Sequence, residues 1–245
     1  MSLDYFFSRN IDDLNIPVLR FYGWKPYCLS LGRHQSAADV DFDKLFSAGY
    51  EAVRRPTGGS AIFHSEELTY SIVISKKLID NKELYMLIHQ LLFVVLTKMG
   101  YNVNLHAENE KTNYLKNGNA TFICFNRSAY TEIKADNKKL VGSAQKLYPE
   151  TILQHGSILI GSGQNDIVNF FNFGQKSQQN YLNYLLDNSI YLNMMTGNRI
   201  TANNLSQKII KDIGKFVEIV EKPLSDSEIN GAEKYFSDFD LKKLN

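Results

Sequence analysis

The chain has 245 residues, 44% hydrophobic and 22% charged, which is enough apolar material for one substantial globular core. A formal net charge of +1 excludes a bulk electrostatic footprint for nucleic acid or for a membrane surface, so any charge-based recognition is local. Two cysteines with no CxxC pair and five scattered histidines argue against a disulfide framework and a metal site, and the chain lacks both a signal-like start and a long apolar run, so a soluble cytoplasmic protein is expected.

The β-rich runs 18–22 and 27–31 flank Gly23-Trp24-Lys25-Pro26, a turn composition that predicts a hairpin. A short helix over 42–48, a strand over 51–55 and a strand over 68–74 follow, so the glycine-bearing stretch between them joins two strands. Leu84, Leu87, Ile88, Leu91, Val95 and Met99 repeat at helical spacing, predicting a core-facing helix over about 81–99 with Gly100 as its C-terminal cap. His89 lies between core positions of that helix and reads as structural. From 121 to 160 the pattern is β again, and Asp136-Asn137 has the chemistry of a two-residue hairpin turn. That turn sets a register in which Ile133 faces Leu140 and Lys134 faces Lys139, where two ammonium groups would depress each other's pKa. Beyond 161 a short helix over 166–171 is expected, 176–188 reads as a helix or a surface segment, and Ser225 with Glu228 has capping-box spacing. The organisation is one catalytic domain over 1–222 and a short helical tail over 223–245.

Two stretches carry the chemistry. In Arg54-Arg55-Pro56-Thr57-Gly58-Gly59-Ser60-Ala61-Ile62-Phe63-His64 the glycines let backbone N–H groups approach a ligand oxygen while the arginines supply charge, although a tight turn with solvated arginines has the same composition. Lys139 opens a strand whose small residues Gly142, Ser143 and Ala144 leave room beside the sheet, and His155-Gly156-Ser157 follows. His64 and His155 are candidates for acid, base or orienting groups, or for polar residues that hold a loop. Cys28 reads as a small buried apolar side chain. Cys124 reads the same way unless a cation lowers its pKa, and Lys139 is the candidate cation.

Together these blocks, with Leu29-Ser30-Leu31-Gly32 and Glu67-Leu68-Thr69-Tyr70-Ser71, resemble the superfamily of lipoate-protein ligase A, lipoyl/octanoyl transferases and biotin ligases, over about 21–160. Cys124-Phe125, followed by Tyr130-Thr131-Glu132-Ile133 and then Lys139, resembles the cysteine-type octanoyltransferases, although Asn126-Arg127-Ser128 and Ser60 depart from common family patterns. The resemblance implies an α/β (α+β) catalytic domain with a mixed sheet flanked by helices. It also implies octanoyl transfer from acyl carrier protein through a Cys124 thioester to a lysine of a lipoyl domain or a glycine-cleavage H-like protein. Lys139 would stabilise the thiolate, and Arg54 to His64, with Gly142, Ser143, Ala144, His155 and Gly156, would bind substrate. That scheme needs no metal or nucleotide. The alternatives are an ATP- and Mg²⁺-dependent lipoate ligase that forms lipoyl-adenylate, in which Arg55 and the 60–63 backbone hold phosphate, and a non-catalytic module that binds lipoyl domains.

Overall fold

The computed structural model describes residues 1–10, 16–107 and 131–242. Helix α1 (Ser2–Arg9) is followed by strands β1 (Val18–Tyr22) and β2 (Cys28–Leu31), helix α2 (Phe42–Ser47), and strands β3 (Glu51–Arg54), β4 (Ile62–His64) and β5 (Glu67–Ser75). Helix α3 (Asn81–Lys98) leads to β6 (Asn104–Ala107), and beyond residue 130 come β7 (Thr131–Ala135), β8 (Lys138–Lys139), β9 (Val141–Leu147) and β10 (Thr151–Leu159). A 3-10 helix (Gly163–Phe170) and helices α4 (Gln175–Asn188), α5 (Leu192–Met195), α6 (Ala202–Ile213), α7 (Asp226–Glu233) and α8 (Phe236–Phe239) complete the described chain.

Three sheets result: an antiparallel sheet ordered β1-β5-β10-β9, a mixed sheet ordered β3-β2-β4 in which β2 and β3 run parallel, and an antiparallel sheet ordered β6-β7-β8. This is the α/β arrangement of sheets and flanking helices that the motifs imply. β5 and β10 pair over nine positions, and every residue of both is buried, because helix α3 covers one face and α1 packs on the other. The expected hairpin over 18–31 does not form: β1 pairs with β5 in the large sheet, whereas β2 pairs with β3 and β4 in the mixed one. Trp24 explains the divergence, since its ring stacks on His64 and its Nε1 donates to Thr69 Oγ1 at 2.8 Å, drawing the connection across from one sheet to the other.

Helix α3 forms where periodicity places it, with Asp80 accepting from the Lys82 and Glu83 amides at its start and Gly100 at φ +88 beyond its end. Its buried stripe is Leu84, Tyr85, Ile88, His89, Leu92, Val95 and Leu96, and Leu87 is exposed, contrary to the sequence expectation. At about 100° per residue the stripe is centred towards Tyr85 and His89, which leaves Leu87 off its edge. The turn at Asp136-Asn137 has both residues at positive φ, and Lys134 faces Lys139 as expected. The helix expected over 166–171 is the 3-10 helix Gly163–Phe170, the segment over 176–188 is helical, and Ser225 and Glu228 make a complete capping box. The last described residues are tied in: α7 packs on α1, and the Leu241 amide donates to Ala52 O.

Candidate active site

The loop after β3 is held by its own arginines. Arg54 Nη1 donates to Gly32 O and Gln35 O at 3.0 and 2.6 Å, while the buried Arg55 guanidinium donates to Ser30 O, Gly58 O and Ser60 O. These guanidinium bonds run to the chain's own backbone. Glycine serves close approach here: a Cβ on Gly32 would lie 1.8 Å from Gly59 O, and Gly59 itself sits at φ +97. Gly58, in contrast, faces open space.

Thr57 latches the loop to the large sheet through a 2.7 Å hydrogen bond with His155 Nε2. Because side chains alternate along a strand and directly opposed residues share a face, Gly142 and Ala144 of β9 lie with Ser157 and His155 of β10 on one face of the sheet. On that face lies a small cavity of about 360 Å³, open solvent at its mouth included. It is lined by Met1, Arg55, Ile62, His64, Thr69, Gly142, Ser143, Ala144, His155, Gly156 and Ser157. Thus Arg55, Ile62, His64, Gly142, Ser143, Ala144, His155 and Gly156 are brought together around the cavity. Arg54, Thr57, Gly58, Gly59, Ser60, Ala61, Phe63 and Lys139 do not line the cavity; Ala61 and Phe63 belong to the core of the mixed sheet.

Two buried histidines border the cavity with different partners. His64 Nδ1 lies 2.7 Å from Glu67 Oε1, which also accepts from Thr69 Oγ1 and Ser157 Oγ at 2.6 and 2.7 Å. The ring stacks on Trp24 at 4.2 Å between centroids, and Nε2 has no hydrogen-bond partner among the described residues. Burial works against ionisation of Glu67, but the His64 contact and the two hydroxyl donors outweigh it and hold the carboxyl below its ordinary range. His155 is lowered by burial, against the opposing pull of Asp4, whose Oδ2 lies 3.8 Å from Nδ1, too far for a hydrogen bond. Asp4, on α1, is fully buried and accepts from Arg20 Nη1, Tyr22 Oη and Ser71 Oγ.

The opposite face of the same strands carries a second polar chain. The Tyr70 hydroxyl crosses Gly156 to meet Ser143 Oγ at 2.6 Å, and His89 Nε2 reaches the same oxygen at 3.0 Å. Glycine is required at 156, because a Cβ would sit 2.6 Å from Gly142 O and 2.7 Å from Tyr70 Cε1. Burial, aided by the charge on Lys139, lowers His89 to about 4, so the imidazole is neutral near pH 7. Lys139 itself donates to Glu132 Oε1 at 2.7 Å, while Lys134 holds the other carboxylate oxygen at 3.0 Å. The facing lysines of the hairpin are thus bridged by a carboxylate. Burial opposes ionisation of Glu132 too, and the two ammonium groups overcome it.

Cys124 lies outside the described residues. Cys28 is buried with its thiol pushed far up by desolvation, which rules it out as a nucleophile. Trp24, Glu67, Glu132 and Asp4 were not assigned roles from sequence, and His89 was read as structural. Strand periodicity offered a signal for Glu132, which shares a face with Lys134 and is diagonal to Lys139, and Glu67 has local partners in His64 and Thr69; Trp24, His89 and Asp4 join the site through long-range contacts. Among the described residues no cluster of three or more His, Cys, Asp or Glu side chains could hold a metal ion, and no helix is long and apolar enough to cross a membrane.

Residues 1–214 match the lipoyl protein ligase A/B catalytic domain. The chain belongs to that family. Family relatives include the octanoyltransferase LipM of Lysinibacillus sphaericus, 30% identical over 86% of this chain and 79% of its own length, and that of Kyrpidia tusciae, 31% identical over 89% and 81%. Among solved structures, the bipartite lipoate protein ligase of Thermoplasma acidophilum, described with its E2 lipoyl domain, superposes with a TM-score of 0.77 at 18% identity, covering 96% of this chain and 86% of that one. A lipoate-protein ligase A bound with ATP gives 0.74 at 20% identity, covering 96% and 87%. These two likenesses establish the fold.

Proposed function

We propose that this protein is a cytoplasmic octanoyltransferase of lipoate assembly, taking the acyl group from octanoyl-acyl carrier protein and delivering it to a lysine of a lipoyl domain or a glycine-cleavage H-like protein. The Cys124 thiolate attacks the incoming thioester and the carrier thiol leaves. The acceptor amine then attacks the acyl-enzyme, forming an amide, regenerating the thiolate and releasing a proton. Lys139 supplies positive charge to the thiolate and to the developing oxyanion, and Glu132 holds its ammonium in place until then. The small residues Gly142, Ala144 and Gly156 give the octanoyl chain its room.

The observation that favours transfer over ligation is the engagement of Arg54 and Arg55. A ligase would need ATP and Mg²⁺, with cationic side chains on the nucleotide phosphate. Here both guanidinium groups donate to backbone carbonyls, so the two arginines are engaged with the chain itself and do not fit that use. A thioester arrives already activated and needs neither cofactor. The test is incubation with octanoyl-acyl carrier protein, or with octanoate and ATP, each with a lipoyl-domain acceptor, read by intact mass. A hydroxylamine-labile adduct that is absent in Cys124→Ala is expected; transfer that depends strictly on ATP, or is undiminished in Cys124→Ala, sinks the proposal.

A further inference from the structure

We propose that Arg9, Arg33, Lys146 and Tyr148 form a subsite for a phosphate ester, the phosphodiester that joins the prosthetic arm of an acyl carrier protein to its protein, a reading that rests on the octanoyl transfer proposed above. Tyr148 follows β9 and packs with Phe7 of α1 and Leu153 of β10, so its ring is buried, yet its hydroxyl has no hydrogen-bond partner among the described residues. A buried hydroxyl without a partner costs stability, and a ligand oxygen would remove that cost. Burial, with Tyr5 and Asp4, pushes this phenol up to about 12, while Arg33 and Arg9 pull against them. Near neutral pH it is therefore a donor with two guanidinium charges close by.

Arg9 closes α1, with its guanidinium 6.0 Å from the Tyr5 ring centroid; Tyr5 meets Tyr148 edge to face at 5.8 Å, and Lys146 Nζ lies 6.0 Å from the Tyr148 centroid. Arg33 is tied to the glycine loop through its amide, which donates to Thr57 O. Among the described residues none of these three cations is in an ion pair, and Asp4, whose charge also reaches Tyr148, is held by Arg20, Tyr22 and Ser71. Cations gathered around an unpartnered hydroxyl fit a ligand with a fixed negative charge and acceptor oxygens. The place suits the donor's arm. Gly142 and Ala144 line the cavity, and Lys146 is the next residue of β9 on that face, while Met1 at the cavity and Arg9 at the cluster stand at opposite ends of α1, roughly 12 Å apart at 1.5 Å per residue. A pantetheine arm, comparable with about four extended residues, reaches roughly 14 Å, so a thioester at the cavity leaves the phosphate at the cluster.

The test compares phosphopantetheine with pantetheine, which differ by the phosphate alone, as inhibitors of transfer from octanoyl-acyl carrier protein to a lipoyl-domain acceptor. Hydrogen bonds to a charged group are worth about tenfold or more in affinity, so phosphopantetheine is expected to inhibit the wild type at a concentration at least about tenfold lower. Tyr148→Phe, which keeps the ring, and Arg33→Ala, at an exposed position, should each bring that ratio to within a few-fold, and Arg9→Ala combined with Arg33→Ala should abolish it. A role confined to folding would slow transfer and leave the ratio alone. A wild type indifferent to the phosphate, or a ratio unchanged in the variants, overturns the subsite while leaving octanoyl transfer standing. Variants that slow transfer from the carrier at an unchanged ratio place these cations against acidic side chains of the carrier instead. A wild type that transfers no octanoyl group at all removes both readings.

Discussion

The contact between Gly32 and the loop after β3 permits a quantitative forecast. A methyl group at position 32 would sit 1.8 Å from Gly59 O and 2.9 Å from Gly59 C, whereas such atoms keep at least 3.0 Å apart, so the loop must retreat by about 1.2 Å. Gly59 lies between Gly58 and Ser60, whose carbonyls accept from Arg55, so the retreat strains that clamp and the Thr57–His155 latch next to it. Over-packing of this kind costs about 1–3 kcal/mol of stability, and a displacement near 1 Å at a substrate-positioning element costs about 10²-fold in rate. Urea denaturation of Gly32→Ala should therefore show a lowered midpoint at unchanged slope, and octanoyl transfer should fall by about that factor. Gly23→Ala is the control, since a Cβ there meets nothing within 4 Å, and its stability should stay within about 0.5 kcal/mol of the wild type. A Gly32→Ala protein with wild-type midpoint and rate would refute the reasoning.

Lys139→Ala should lower octanoyl transfer by about 10²- to 10³-fold, with little loss of stability because Lys134 stays on Glu132; a variant within threefold of the wild type in a transfer assay would remove Lys139 from the chemistry. Asp4→Asn leaves Arg20 without its carboxylate and should cost about 3 kcal/mol, measurable by chemical denaturation. Burial would raise the Asp4 pKa, but His155 and Arg20 hold it below its unfolded value; its stabilisation is therefore complete above about pH 4 and lost as the pH falls further, and Asp4→Asn should flatten that acid limb. His89, lowered to about 4 from a model-peptide value of 6.5, is uncharged when folded, so stability should be full above pH 6.5 and decline towards pH 4 by on the order of 3 kcal/mol. His89→Gln should blunt that decline, and an equally steep loss in the variant would show that another group titrates.

Local signals were legible wherever one short segment decides the outcome. Helix α3 is marked by its period and its Gly100 end, and the β7–β8 register follows from Asp136-Asn137 because a two-residue turn leaves no freedom in pairing. The hairpin over 18–31 failed because turn residues state that the chain bends, and only Trp24's contacts with His64 and Thr69 decide which sheet receives β2. The glycine motif borders the cavity through Arg55, Ile62 and His64 while its glycines stand apart from it, and its arginines read as ligand-facing charge although they donate to carbonyls of β2, of the 32–35 segment and of the loop itself. His89 and Asp4 were invisible as site residues for a related reason. Each acquires its role from a partner far away in the chain, His155 for Asp4 and Ser143 for His89, and no spacing rule reaches that far. Glu67 differs, because His64 and Thr69 stand within three residues of it.

The tight corner at Asp136-Asn137 constrains how this gene can vary in length. Adding or deleting a single residue there would turn β8 over, because neighbouring positions on a strand point to opposite sides, and the Lys139 amine would swing away from the carboxylate that seats it. Indels at this corner are therefore tolerable only in pairs, and an engineer who wants to graft a tag or reporter onto the protein should look for a different loop.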